Sequence, residues 1–163
     1  MENTNRNYST IMVAILVMVT MFMAVYLVHI NEVDAVEWHG PYKVIQVDGG
    51  GNIIIDKDGK ETRVIMIGVY CGGYESPEWE SAKQYTEDRL LGKYVRIAYD
   101  EYSDMDVFCE RAYVYDENGT MINGELLYKG IAAYCLDGKN NAHERMFKNF
   151  ERKARNEKIG IWK

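Results

Sequence analysis

The chain has 163 residues, of which 47% are apolar and 27% charged, with a net charge of −6 at neutral pH. Once an N-terminal apolar run is set aside, that length supports one compact core and is too short for two. The acidic balance opposes tight, sequence-blind binding to polyphosphate.

Residues 1–10 are polar and carry Arg6. From Ile11 to Ile30 the sequence runs IMVAILVMVTMFMAVYLVHI, where Thr20 and His29 are the clearly polar side chains and nothing is charged. At 1.5 Å per residue this run spans roughly 30 Å, the hydrocarbon thickness of a bilayer. It lacks a polar stripe at the 3.6-residue period, so a transmembrane helix is predicted over 11–30. Arg6 precedes it and Glu32, Asp34 and Glu37 follow it. By the positive-inside rule, residues 1–10 are then cytoplasmic and the C-terminal domain lies outside a cell membrane crossed once. The competing expectation is secretion after cleavage following Ala35, although the run exceeds the usual apolar core of about 7–15 residues in a signal peptide.

Residues 31–41 read as a polar linker, with a folded domain over 42–163. Tyr42 to Val47 is a predicted strand closed by the glycine-rich turn Asp48-Gly-Gly-Gly-Asn52. Asn52–Asp56 and Thr62–Val69 are two further β-branched runs about a turn at Lys57–Lys60, which completes a three-stranded meander. From Ser76-Pro77 the period becomes helical: Trp79, Ala82, Tyr85, Thr86, Leu90 and Leu91 share a face, with Gly92 as the stop. Tyr94–Tyr99 and Glu110–Tyr115 are strands about the acidic loop Asp100–Asp106. Met121–Tyr128 is a short helix, Ile131–Leu136 is extended, and Asn140–Lys158 is a long amphipathic helix. This order suits an α+β domain in which a small closed barrel carries helices on its outside.

Cys71, Cys109 and Cys135 all fall in the predicted outer domain. An oxidising compartment allows one disulfide and leaves one thiol over; the alternative is three buried, unpaired cysteines. No C-x-x-C pair is present, so their spacing fits no zinc site.

Several short stretches in order carry a resemblance. They are Val47-Asp48-Gly49 after the first strand, Ile67-Gly68-Val69 closing the third, Pro77-Glu78-Trp79, Ala112-Tyr113-Val114-Tyr115, Met121-Ile122-Asn123, Gly130-Ile131-Ala132, and His143-Glu144 leading to Gly160-Ile161-Trp162. Together they resemble the staphylococcal nuclease-like, or thermonuclease, domain over about residues 40–163. The resemblance implies a five-stranded OB-type barrel with three helices. It also implies metal-assisted phosphodiester hydrolysis by carboxylates that hold Ca²⁺, a glutamate base and two arginines.

Set against that pattern, the catalytic positions are vacant. The metal aspartate of the glycine turn falls on Gly51, and the family's R-L-I-G-V-D-T-P-E stretch falls on Ile65 to Gly73. Its arginine thus becomes Ile65, its second metal aspartate Tyr70 and its glutamate Gly73. The second arginine falls on Cys109. Losing one oxyanion-stabilising donor typically costs about 10²–10³ in rate, so the resemblance implies a fold without its chemistry and without a metal.

Five residues remain as candidates for a vestigial cleft. Asp48 is retained from the turn, Arg63 and Arg111 lie two residues along the strand from Ile65 and Cys109, Glu75 follows Gly73 by two, and Tyr134 stands where the family keeps tyrosines lining a nucleotide pocket. The alignment also puts Cys71 and Cys109 on opposite lips of the cleft, which implies a disulfide, with Cys135 as an alternative partner. The expected function is a membrane-anchored, extracytoplasmic binding or assembly module for a protein partner. An active Ca²⁺-dependent nuclease and a non-cleaving single-stranded nucleic-acid binder are the rivals.

Overall fold

The structure, a computed structural model, describes residues 12–24, 37–101, 109–140 and 142–163. The chain divides into two compact units, Met1–Val36 and Glu37–Lys163. In the first unit residues 12–24 form a helix, α1, whose side chains are all exposed, and whose length by helical rise is roughly 20 Å. Among the described residues no helix is long and apolar enough to cross a membrane. The remainder of the predicted span, residue 11 and residues 25–30, lies outside the described residues, as do the N-terminal segment and the linker up to residue 36.

The second unit is built on a closed barrel of strand order β1-β2-β3-β6-β5. Its strands are β1 (His39–Gly49), β2 (Asn52–Lys57), β3 (Lys60–Met66), β5 (Tyr94–Ala98) and β6 (Glu110–Tyr115), and β4 (Val69–Tyr70) and β7 (Ala133–Tyr134) pair separately. Alternation along the strands decides what is inside. Val44, Ile53, Ile55, Val64, Met66, Val95 and Ile97 are buried, and their odd-numbered or even-numbered neighbours face out. The barrel is antiparallel except where β3 meets β6, with Val64 opposite Glu110 and Met66 opposite Ala112.

Three helices close the barrel: α2 (Pro77–Leu90), α3 (Ile122–Tyr128) and α4 (Glu144–Asn156). Helix α2 starts where Ser76 accepts the Trp79 backbone N–H at 3.1 Å, with Pro77 in the first turn, and buries Ala82, Thr86 and Leu90. At its end Gly92, with φ of +76°, returns the chain to the barrel through an N–H to the Val44 carbonyl. Helix α3 places buried Asn123 between strands, donating to the Ile67 and Ala112 carbonyls and accepting from the Val114 N–H. Phe147 of α4 completes the core beside Leu126 and Leu127.

The larger differences from the expected element boundaries fall at four places. The first strand starts at His39 and takes in part of the predicted linker, because its early residues pair with β5. The run Thr62–Val69 is two elements: Gly68, at φ of +78°, turns the chain out of the barrel so that Val69 pairs with Tyr134. Only Ala133–Tyr134 of the extended stretch Ile131–Leu136 is strand. Helix α4 starts at Glu144, not Asn140, since the Asn140 N–H is spent on the Asp137 carbonyl in a preceding turn.

Candidate functional site

A cleft of about 620 Å³ opens between the β1–β2 turn, β3 and the first half of α2. Its floor is the glycine turn. Thr86 donates its hydroxyl to the Gly50 carbonyl at 2.8 Å from within the core, so α2 holds that turn from below. A β-carbon at Gly50 would lie 2.3 Å from Ala82 Cβ and 2.7 Å from Cys71 Sγ, and one at Gly51 would lie 3.2 Å from Val69 Cγ1. At Gly50 a side chain is excluded outright. At Gly51 one fits only if Val69 gives way.

One wall carries the polar groups. Asp48, at the end of β1, accepts from Gln46 Nε2 through Oδ1 at 2.5 Å and forms an ion pair through Oδ2 with Arg63 Nη2 at 2.7 Å. Arg63 reaches it because β3 runs beside β2, which runs beside β1, and Arg63 alternates outward from buried Val64. The opposite wall is aromatic, with Tyr70, Tyr74 and Trp79. Tyr74 meets Trp79 edge-to-face with ring centroids 5.1 Å apart, and Lys83 Nζ lies 5.2 Å over the Trp79 ring. Lys83 also faces Glu87 at 3.9 Å, one turn along α2.

The structure therefore brings Asp48, Arg63, Gly51, Tyr70 and Cys71 to one cleft and leaves the other expected residues elsewhere. Arg111 is turned to Asp137 at 2.6 Å. Glu75 sits at φ of +62° on the exposed turn before α2, next to Gly73, where a β-carbon would meet nothing. Tyr134 packs beside Phe147 and donates its backbone N–H to the Glu151 carboxylate. Ile65, paired between Asn52 and Arg111, is half-buried on the outer face of β3, and Cys109 precedes β6 without lining the cleft.

The expected Cys71–Cys109 disulfide is not formed, nor the alternative with Cys135: all three thiols are free. Cys71 is turned in under the glycine turn, and burial pushes its thiol up to about 12, with Cys135 adding to the shift. Cys135 follows β7 and donates its N–H to the Gly68 carbonyl, while burial followed by Asp137 raises its thiol.

Calcium needs about six to eight oxygen ligands, several of them charged. Among the described residues lining the cleft, Asp48 is the carboxylate, and both its oxygens are engaged. These residues do not fit a calcium ion.

Sequence reasoning missed Gln46, Tyr74, Trp79 and Lys83 as cleft residues. The i, i+4 spacing of Trp79 and Lys83 places both on one side of α2 and was the available signal. Trp79 had been assigned to the buried face.

Comparison with known proteins finds that a family model described as staphylococcal nuclease homologue matches residues 57–163. Thermonuclease from Staphylococcus hyicus is 30% identical over 127 residues, 74% of this chain and 75% of that protein. Thermonuclease from Staphylococcus intermedius is 30% identical over 129 residues, again 74% of this chain and 75% of the relative.

Proposed function

The chain belongs to the staphylococcal nuclease homologues, and from that premise we propose that it is a nuclease-fold domain which binds in its cleft without cutting, held outside a membrane by its N-terminal apolar segment. The observation that carries this reading is the commitment of Asp48. The carboxylate that a metal would need is neutralised by Arg63 and hydrogen-bonded by Gln46. The same pair removes Arg63 from service as a free clamp for a developing phosphorane. The glycine at position 51, where the family's metal aspartate falls, supports the reading further, since it offers no side-chain ligand and Val69 stands close against it.

Anchoring is supported by α1, which is apolar but for Thr20 over its described length, and by the uncharged sequence that continues to Ile30. The single Arg6 before it and the acids after it favour an outside location for the barrel. Retention as a binding or assembly module suits a barrel whose open cleft holds one carboxylate among the described lining residues, too few for a calcium ion.

The test is incubation of the purified full chain with plasmid and single-stranded DNA in the presence of Ca²⁺, Mg²⁺ or Mn²⁺. No cleavage above a buffer control is expected. Cleavage abolished by Arg63→Ala or Glu75→Ala would overturn the proposal in favour of a metal-dependent phosphodiesterase. That second reading is favoured by one observation: Arg63 and Asp48 still stand together in the cleft of a chain whose relatives are thermonucleases.

A further inference from the structure

The lining of the large cleft has a chemistry of its own. Tyr70 and Tyr74 are 53% and 78% exposed, an unusual state for large aromatic side chains that border a cleft. With Trp79 they form an angled aromatic wall, stiffened by the edge-to-face Tyr74–Trp79 pair. Facing it is a polar array, Gln46–Asp48–Arg63, joined by one hydrogen bond and one ion pair, with Asn52 also lining the cleft.

Charge decides between ligand classes. A nucleic-acid strand is held by cations that track its phosphates and are free to release their counterions. Here Arg63 is matched by Asp48 at 2.7 Å and Lys83 stands near Glu87 at 3.9 Å, so the cleft offers little unpaired positive charge. A neutral sugar makes the opposite demands. Its ring presents a face of C–H groups that lies against an aromatic ring, and its edge presents adjacent hydroxyls that pair two at a time with amide, carboxylate and guanidinium groups. The two walls meet both demands, and about 620 Å³ falls within the range of about 300–1,000 Å³ usual for small-molecule sites.

From this juxtaposition we infer that the cleft binds a neutral oligosaccharide, with Tyr74 and Tyr70 as stacking platforms and Gln46, Asp48 and Arg63 as the hydroxyl-reading edge. The inference rests on the reading of the domain as non-cleaving and names the class of ligand it would take. Hydrogen bonds to a fixed carboxylate–guanidinium pair fix the sugar's orientation, and the aromatic wall supplies the apolar contact.

The experiment is calorimetric titration of the purified full chain, in a detergent without a sugar headgroup, with cellotetraose, chitotetraose and maltotetraose. Saturable binding of at least one tetrasaccharide at up to millimolar concentration is expected, unchanged when salt is raised. Tyr74→Ala, at a position exposed enough to leave the fold intact, and Gln46→Ala are each expected to weaken it about tenfold. The inference is overturned if no tetrasaccharide binds. It is equally overturned if binding survives both substitutions, or if oligothymidylate binds the cleft with steep salt dependence and displaces the sugar. The same preparation is assayed for DNA hydrolysis. Hydrolysis defeats the non-cleaving reading, whereas absence of both hydrolysis and sugar binding defeats the ligand class alone.

Discussion

Gly50 and Asn123 show how single residues position the cleft. Gly50 is held between the Thr86 hydroxyl, which bonds its carbonyl, and Ala82, which leaves no room for a β-carbon. Gly50→Ala is therefore expected to cost about 2 kcal/mol through overpacking, read as a lower urea midpoint with an unchanged slope. Asn123 has no exposed surface, and its side chain satisfies the Val114 N–H and two carbonyls from different segments. Removing it in Asn123→Ala takes this partner from the Val114 N–H and the Ile67 carbonyl, while the Ala112 carbonyl still accepts the Ile67 N–H, with an expected loss of about 3 kcal/mol in the same measurement. The cysteines give a third expectation at this scale. Alkylation of the unfolded chain without reductant adds three labels, whereas in the native chain Cys71 reacts last because burial suppresses its thiolate.

Between elements, the barrel and its helices are fastened by an ion cluster that makes stability depend on acid. Arg89, in the last turn of α2, reaches Asp116 after β6 at 2.5 Å and Glu125 of α3 at 3.3 Å. Burial pushes the Asp116 carboxyl up. The Thr120 N–H, Arg89 and the Asn118 N–H outweigh that, so it titrates below the ordinary carboxylate range. Since its value in the folded chain is the lower of the two, its contribution is complete above the unfolded value of about 3.9 and fades as pH falls through the folded one. Asp116→Asn is expected to cost about 2 kcal/mol at neutral pH and to flatten the fall in stability below about pH 4, as followed by circular dichroism during acid titration. The elements so joined were largely legible in the sequence. Period-two burial is written in residues 52–66 and 94–98, and the Ser76-Pro77 start and Gly92 stop of α2 are local chemistry. The break at Gly68 was not legible. Glycine permits the turn without requiring it, and what makes Val69 leave the barrel is its pairing with Tyr134, 65 positions along the chain.

At the scale of the whole chain, the proposed architecture predicts where the protein is found. The full chain is expected in the membrane fraction, resistant to alkaline carbonate extraction. A variant lacking residues 1–36 is expected in the soluble fraction, and recovery of the intact protein as soluble material would contradict anchoring. The site was legible only in part. Aligned stretches named the vacated positions, and alternation gave Arg63 its outward direction. The contact of Arg63 with Asp48 depends on the register across two strand pairs of the meander, β1–β2 and β2–β3, which no local pattern sets. Likewise the α2 periodicity identified a buried face but not that its margin, at Trp79 and Lys83, would border an opening.

The fit of Gly50 against Ala82 also bears on lineage. A coding change at that glycine meets Ala82 and the Cys71 sulfur before it gains anything, whereas one at Gly51, where the family's metal aspartate falls, asks only that Val69 yield. Packing thus bars new side chains from one step of the turn and leaves the next step open to them.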